Sequence, residues 1–406
     1  MSGSGFVFPN DYHIGWSLMI VMYPYVTGLV AGAFIVSSLY HVFGRKEFKP
    51  IGRLALATSL CFLAVATAPL LNHLGHPLRG PSVVVTPNWS SAMAGFGFIY
   101  TIYLAIVLLE IWFVYRTDII LTARRSRGLK RWLYAALALG TYDISPEAQA
   151  IDRKVVIVLA AIGIPGACLL HGYVGFLFGA LKSNPWWSTP LMPIIFLFSA
   201  VVSGIAALQL LYQVSMKYRG QRIEPDCVAG LNRWLWLFMI LTVTLELLEI
   251  MTLAYEGSEK WLIIRPLLTT RLSVSFISVQ MVMGSLIPFI LLMIVVLMNR
   301  YLHDRVRNTL SVVASLLLLV QVFSMRWNVV IGGQLFSKSL RGFRDPYTPH
   351  LFEKEGVLAA VAILVTPFLL LVLFGKILPL FSPKEDAAGG SAAGAPPAEA
   401  GETAET

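Results

Sequence analysis

Long apolar runs separated by short polar segments dominate this chain. A helix needs about 20 apolar residues to cross the hydrocarbon core of a bilayer. Runs of roughly that length recur nine times, and the eighth is the shortest: Ile14–Phe43, Leu54–Leu74, Met93–Tyr115, Val155–Leu181, Leu191–Val214, Leu231–Tyr255, Ser273–Met298, Thr309–Met325 and Val357–Phe381. The pattern predicts an all-α polytopic membrane protein with about nine transmembrane helices.

The composition agrees with this prediction. Hydrophobic residues make up 57% of the chain, charged residues make up 13%, and the mean hydropathy is +0.72. A soluble domain carries about 25% charged residues. The composition therefore excludes an ordinary soluble enzyme.

The distribution of Lys and Arg predicts the orientation. The loops after the first, third, fifth and seventh runs hold 19 of these residues, whereas the N-terminus and the other loops hold 10. Positive charges favour the cytoplasmic side, so we expect a periplasmic N-terminus and insertion in a bacterial inner (cytoplasmic) membrane. The same bias explains the net charge of +9, and nothing indicates binding to nucleic acid. Five of the ten external charges fall in Arg326–Lys354, which we expect to fold against something rather than lie free in water.

The run order suggests a domain organisation. We expect a first bundle of helices one to four, with an interfacial helix lying on the membrane, and a second bundle of helices five to eight. A periplasmic loop, a flanking ninth helix and a disordered cytoplasmic tail would follow. The predicted bounds are 1–189 with the interfacial helix at about 128–140, then 190–330, 331–356, 357–381 and 382–406.

Three carboxylates lie within the apolar runs. Glu110 lies in the third run, and Glu246 and Glu249 lie about one turn apart in the sixth. Ionisable residues at bilayer depth are costly and usually mark a proton, ion or ligand path. We expect them, together with His171, to form a proton path from the cytoplasm towards the outer leaflet. The alternative is that each carboxylate pairs with a nearby Arg, Ser or Thr and only stabilises the bundle.

A second group of polar residues gathers at the predicted outer ends of the first four runs. Hydrogen-bond donors at a membrane interface suit the headgroup of a quinone, and the apolar helix surface beside them suits its isoprenoid tail. For the tyrosines, anchoring in the interfacial aromatic belt is an equal alternative. The predicted quinone-binding residues are Tyr23, Tyr25, Asn72, His73, His76, Arg79 and His171.

Two other kinds of membrane protein fit parts of this pattern. A di-haem cytochrome b needs pairs of His at equal depth, and only His73 and His171 meet that condition. Cys61, Cys168 and Cys227 lack C-x-x-C spacing, so we expect no haem, iron–sulfur cluster or other metal site in this protein. A proton- or ion-coupled secondary transporter could use the buried carboxylates, but transporters place their polar residues near the midplane rather than at one outer face.

The chain resembles the NrfD/PsrC-like family, which includes the polysulfide reductase membrane subunit. Four segments carry the resemblance, and it covers most of the first 380 residues: Tyr25–Leu39, Asn72–Arg79, His171–Gly204 and Met325–Gln334. The ninth helix and the long tail depart from the minimal eight-helix members.

The resemblance implies a function and a set of partners. It implies a subunit without prosthetic groups, built as two four-helix bundles, that is not catalytic alone but belongs to a menaquinone-linked oxidoreductase. Electrons would pass between a docked periplasmic [4Fe–4S] ferredoxin-like subunit and menaquinone near the outer leaflet. From the residues themselves, we expect His73 and Glu249 to have catalytic roles and protons to be taken up from the cytoplasm. The docking surface would be Arg79, Asn184–Thr189 and Arg326–Tyr347. Within the family the protein is most similar to membrane subunits of menaquinone reductase complexes, which implies a molybdopterin-type subunit and a multihaem cytochrome c as further partners.

Overall fold

A computed structural model describes residues 12–381, and the predicted tail at 382–406 lies outside this range. The described chain is almost entirely helical. Its α-helices are α1 Leu18–His41, α2 Lys49–Val65, α3 Ala68–His73, α4 Ser82–Val85, α5 Ala92–Arg125, α6 Gly128–Leu137, α7 Pro146–Gly179, α8 Met192–Tyr218, α9 Pro225–Glu256, α10 Glu259–Pro266, α11 Ile287–Leu297, α12 Asp304–Trp327 and α13 Val357–Ile377. Short 3₁₀ turns occupy Lys46–Phe48 and Pro77–Arg79, and π-helical segments occupy Leu267–Arg271, Ser273–Leu286 and Asn328–Gly332.

Nine helical stretches within residues 12–381 are long and apolar enough to span a membrane, which confirms the predicted number. The prediction for the eighth was wrong in length. It spans Asp304–Gly332, 29 residues, rather than the short run Thr309–Met325. Hydropathy missed its polar first turns, where the buried Arg307 pairs with Asp304 at 2.9 Å, and its π-helical last turn.

The ends of the spans follow from local chemistry. The Ser17 hydroxyl accepts a hydrogen bond from the backbone N–H of Met19 and caps α1, and Ser145 caps α7 in the same way, with Pro146 at the first helical position. Helix α9 ends at Gly257, whose φ of +57° suits a residue without Cβ. These caps satisfy backbone groups that an apolar run leaves unpaired.

The second span is interrupted near its C-terminal end. Helix α2 stops at Val65, and α3 begins at Ala68 with Pro69 in its first turn. Pro69 has no backbone N–H to donate and is best tolerated in the first turn of a helix. The break separates the α3 turn, which carries Asn72 and His73, from the continuous helix below.

The helices pack as two rings that share a central contact. Helices α1, α2, α5 and α7 pack around one another, and α8, α9, the Ser273–Leu297 span and α12 form the second ring. Helix α1 packs most extensively on α8, with Gly32 against Gly204, and α13 packs on α2 outside the first ring. This arrangement suits the predicted division into two bundles, although their independence as units stays a prediction.

We name the two ends of the bundle by their loops. The N-terminal face bears the start of α1, the end of α3 and residues 333–356. The basic face bears the α1–α2, α5–α7, α8–α9 and α11–α12 connections, which carry the larger share of Lys and Arg. At the basic face α6 confirms a helix within the predicted 128–140 segment, and its Leu129 and Trp132 are largely exposed.

The connection at 333–356 folds back on the N-terminal segment. The backbone N–H of Trp16 donates to Gln334 Oε1 at 2.8 Å, and the N–H of Asp345 donates to the Tyr12 carbonyl at 3.0 Å. The expectation that this charged loop folds against something is confirmed, and the surface it meets belongs to the same chain. One of its five counted charges was assigned wrongly, because Arg326 lies inside α12 and is fully buried.

Candidate functional site

The first polar cluster lies at the rim of the N-terminal face, and we call it the rim cluster: Ser17, Asn72, His73, Lys354 and Glu355. His73 Nδ1 lies 2.7 Å from Glu355 Oε2, and the Ser17 hydroxyl donates to the same carboxylate oxygen. The Asn72 amide donates to the Lys354 carbonyl at 2.7 Å, and the Lys354 ammonium donates to the Leu74 carbonyl at 3.1 Å. The end of α3 is thus joined to the residues that precede α13.

The rim cluster is partly exposed, and its hydrogen bonds fix the charge of its carboxylate. The side chains of His73 and Glu355 are 26% and 27% exposed, so both can meet a ligand. Partial burial alone would raise the pKa of Glu355, but the hydrogen bonds from Ser17 and His73 outweigh it and lower that pKa. Glu355 is therefore a carboxylate at neutral pH and orients the imidazole through Nδ1.

Apolar surface flanks the rim cluster. Leu71 and Leu74, on either side of His73, are more than a third exposed, and Leu78 is almost fully exposed. A polar headgroup at His73 would therefore leave an apolar tail beside exposed leucines at the membrane interface.

The second cluster is buried between the two rings and comprises His171, Ser199 and Arg326, which we call the arginine cluster. Arg326 Nη2 lies 3.0 Å from His171 Nε2 and donates to the Ser199 hydroxyl at 2.8 Å and to the Phe196 carbonyl at 3.2 Å. Its guanidinium carbon lies 3.8 Å from the centre of the Phe196 ring, a cation–π contact. All three polar side chains are fully buried, so Arg326 joins α12 to α7 and α8 and takes no part in an outer surface.

The third cluster surrounds Glu246 in the second ring, and we call it the carboxylate cluster. Gln280 Nε2 donates to Glu246 Oε2 at 2.9 Å, and Gln321 Nε2 lies 3.4 Å from Oε1. Asn328 Nδ2 donates to Gln280 Oε1 at 2.8 Å, which extends the network. A cavity of about 30 Å³, large enough for ordered water, is lined by Glu246, Glu249, Gln280 and Asn328 among others.

Local backbone geometry explains how this cluster forms. Gln280 lies in the π-helical segment Ser273–Leu286, and Asn328 begins the π-helical segment Asn328–Gly332. The wider turn of a π-helix shifts side chains around the helix axis relative to an α-helix, and such segments are frequent at functional sites. Sequence periodicity gives no sign of this shift.

Glu110 stands apart from these clusters. Its side chain is fully buried in the first ring, and its carboxylate oxygens have no hydrogen-bond partner among residues 12–381. The alternative that each carboxylate pairs with a nearby Arg, Ser or Thr therefore does not describe Glu110 in this range, and Glu246 receives amide donors instead. No hydrogen bond in the described part of the molecule links Glu110 to His171.

The predicted quinone-binding residues separate into groups. Asn72 and His73 come together in the rim cluster, whereas His171 is held by Arg326. Tyr23 and Tyr25 are buried, with 2% and 7% exposure, so the aromatic-belt alternative is wrong for them. Tyr23 packs edge-on against Phe96, and Tyr25 packs edge-on against Phe323.

His76 and Arg79 are exposed, and their side chains make no hydrogen bond within the described residues. The structure does not bring them into the rim cluster. Sequence reasoning missed Ser17, Glu355, Gln280 and Asn328. A carboxylate just before the ninth apolar run was the available signal for Glu355, since it must lie at the same end of the bundle as His73.

The histidines also bear on the haem alternative. His73 is engaged by Glu355 and His171 by Arg326, so the two residues that could form one pair have different partners in different places. Within residues 12–381, no group of three or more His, Cys, Asp or Glu side chains is placed to hold a metal ion.

Comparison with known proteins adds the family. Residues 8–338 match the family described as polysulphide reductase, NrfD. A selenate reductase subunit of Mesobacillus selenatarsenatis is 28% identical over 389 residues, which cover 91% of this chain and 87% of that protein. The Hdr-like menaquinol oxidoreductase integral membrane subunit of Archaeoglobus fulgidus is 23% identical over 389 residues, which cover 90% of this chain and 86% of that protein. A polysulfide reductase polypeptide of Wolinella succinogenes is 24% identical over 327 residues, which cover 79% of this chain and 95% of that protein.

The family match extends over most of the chain and includes the first eight spans completely. It also includes the arginine and carboxylate clusters and three residues of the rim cluster, Ser17, Asn72 and His73. The chain belongs to the NrfD/polysulphide reductase family of integral membrane subunits of quinone-linked oxidoreductases.

Proposed function

We propose that this subunit binds menaquinone at the rim cluster and exchanges electrons between it and an iron–sulfur subunit docked on the N-terminal face. The observation that carries the proposal is the hydrogen-bonded His73–Glu355–Ser17 group, partly exposed beside exposed leucines. The name of the Archaeoglobus relative, a menaquinol oxidoreductase subunit, supports menaquinone as the substrate.

The rim cluster supplies what a quinone headgroup needs. Reduction of a quinone to a quinol takes two electrons and two protons. Glu355 engages His73 Nδ1, and we assign the other ring nitrogen, Nε2, to a quinone carbonyl oxygen. Glu355 then orients the imidazole and stabilises the positive charge that it carries when protonated.

The electrons would come from outside this polypeptide. We propose a [4Fe–4S] ferredoxin-like subunit as the immediate partner, with a molybdopterin-type subunit and a multihaem cytochrome c beyond it, as in a menaquinone reductase complex. The docking surface would be Arg79, Asn184–Thr189 and the part of Arg326–Tyr347 that lies on the N-terminal face, and Arg326 is withdrawn from it because it is buried. This assignment places the N-terminal face on the periplasmic side, in keeping with the charge bias.

We further propose that protons reach the quinone from the basic face. Glu110 in the first ring and Glu246 and Glu249 in the second are buried or half-buried carboxylates without a salt-bridge partner among residues 12–381. Such groups are costly in a membrane and often mark proton relays. Glu249 lines the small cavity beside Glu246, which offers room for water between the two.

The test replaces His73 with Gln in the purified complex reconstituted in nanodiscs with a menaquinone analogue. Loss of a positioned general acid should lower quinone turnover by about 100-fold, with the other subunits still bound. His350→Gln is the matched control, because His350 lies on the same face, is 70% exposed and contacts only Glu353 at 3.8 Å among its charged neighbours in the described residues.

A second pair of variants distinguishes loss of the Glu355 carboxylate from a change in the structure of the loop. Glu355→Gln should reduce turnover, whereas Glu353→Gln, two residues earlier and 65% exposed, should not. Full turnover in His73→Gln, in a complex that retains all its subunits, would show that the quinone binds elsewhere.

A further inference from the structure

A cavity of about 320 Å³ opens at the basic face, at the opposite end of the molecule from the rim cluster. It lies between the end of α1, the start of α2, the inner half of α5 and the start of α7. His41, Lys49, Arg53 and Arg153 line it, together with the apolar side chains of Phe113 and Val156. Neither the electron-transfer site nor the proposed proton carriers account for this concentration of cations.

Arg53 is held in place, but one of its hydrogen-bond donors has no partner among the described residues. Its Nη2 pairs with Asp118 at 2.9 Å, and its guanidinium carbon lies 5.1 Å from the centre of the Tyr115 ring. Its Nη1 is buried and has no hydrogen-bond partner within residues 12–381. His41 Nε2, also buried, likewise lacks a partner in the described part of the protein. Buried donors without acceptors are expensive, which points to a ligand that accepts hydrogen bonds.

The single carboxylate in the lining does not supply that acceptor. Arg116 Nη1 donates to both oxygens of Asp152, at 2.6 and 2.7 Å, and Arg116 Nη2 donates to the Asp143 carbonyl at 2.9 Å. Asp152 is therefore neutralised by Arg116. In the lining, Arg53 is paired with Asp118 and Asp152 with Arg116, so Arg153 adds a positive charge that no carboxylate of the lining offsets.

We propose that this cavity binds the phosphate group of an anionic phospholipid from the leaflet at the basic face. Arg and His donors around a phosphate give short, charge-assisted hydrogen bonds, and basic pockets between transmembrane helices recognise acidic headgroups. Phe113 and Val156 provide the apolar wall on which an acyl chain would lie. The bound lipid joins α1, α2, α5 and α7 at the basic face of the first ring.

The experiment is a native mass-spectrometry titration of the delipidated complex with phosphatidylglycerol, phosphatidylcholine and inorganic phosphate. The wild-type complex should retain one phosphatidylglycerol about tenfold more tightly than phosphatidylcholine. Arg53→Gln should abolish this preference, since a hydrogen bond to a charged group contributes about tenfold or more to affinity. Arg153→Gln, which leaves the Arg53–Asp118 pair intact, should weaken binding about fivefold.

Arg131→Gln is the matched control. Arg131 is exposed on α6 at the same face but does not line the cavity, so the variant should bind phosphatidylglycerol like wild type. Equal phosphatidylglycerol affinity in wild type, Arg53→Gln and Arg153→Gln would overturn the proposal. Inorganic phosphate that binds as tightly as the lipid and displaces it would also overturn it, because the ligand would then be a soluble anion.

Discussion

Replacing Gly32 with Ala tests whether the contact between the two rings is set by backbone approach. Helix α1 crosses α8 with Gly32 against Gly204. A Cβ added at Gly32 would lie 2.6 Å from Gly204 Cα and 2.8 Å from the carbonyl oxygens of Ala200 and Val201. These are backbone atoms, so no side-chain rotation relieves the clash.

The size of the effect follows from this geometry. Ordinary van der Waals contact begins at about 3.4 Å, so the helices must separate locally by roughly 0.8 Å to admit the methyl group. Overpacking of a well-packed core costs about 1–3 kcal/mol, and the gain in helix propensity from Gly to Ala is about 1 kcal/mol. Because α1 is the most buried span, we expect the cost to dominate, with a net loss of up to about 2 kcal/mol.

The clash also reaches the arginine cluster. A Cβ at Gly28, one turn before Gly32 on the same face, would lie 3.3 Å from His171 Cε1. Separating α1 from α8 therefore opens space beside His171 and loosens its contact with Arg326. We expect the variant to lose quinone turnover at temperatures where the complex is still assembled.

The assay is thermal unfolding of the purified complex, with Gly172→Ala as the matched control. Gly172 lies inside α7, and the nearest atom to its added Cβ is the Pro193 carbonyl oxygen at 3.9 Å, so this variant should be as stable as wild type or slightly more so. A Gly32→Ala complex that unfolds at the same temperature as Gly172→Ala would refute the reasoning.

Three further predictions concern the clusters. The Glu355 carboxylate has a lowered pKa when folded, so its stabilising effect is complete above its unfolded pKa of about 4.3 and is lost as the pH falls through the folded value. Glu355→Gln should flatten the pH dependence of the unfolding temperature in that range, and an unchanged profile would contradict the hydrogen bonds that lower this pKa. Arg326→Lys should lower the unfolding temperature, because an ammonium lacks the planar guanidinium that lies over the Phe196 ring and places its donors differently from Nη2. Each lost charged hydrogen bond costs about 1.5–3 kcal/mol. A temperature equal to wild type would show that charge alone suffices. Glu246→Gln should reduce proton uptake per electron in proteoliposomes with little change in assembly, and unaltered proton uptake would remove Glu246 from the route.

The sequence predicted the features that depend on position along a helix axis. Apolar length located all nine spans, and the bias in Lys and Arg distinguished the two faces. It placed His73 at the outer end of the second span, where α3 ends. Depth follows from counting residues at a fixed rise, so these predictions needed no tertiary information.

Which side of a helix a residue faces was not predictable in the same way. Tyr23 and Tyr25 lie at a depth that suits an aromatic belt, yet both face the bundle interior, because α1 is surrounded by other helices on every side. Arg326 was counted as an outer charge because its apolar run appeared to end at Met325. The π-helical turn after Trp327 continues the helix and leaves Arg326 within the bundle.

The arrangement of charge constrains how protons can move between the clusters. Met325 and Asn328, on either side of Arg326 in sequence, line the cavity beside Glu246, while the guanidinium itself contacts His171. A fixed positive charge in such a position repels a passing proton, so a route from Glu246 to His171 works only while the carboxylate balances Arg326. Replacing Glu246 with Gln removes that balance as well as a proton carrier. The double variant Glu246→Gln with Arg326→Met separates the two effects: recovery of proton uptake would assign Glu246 an electrostatic role, whereas continued loss would make it a carrier.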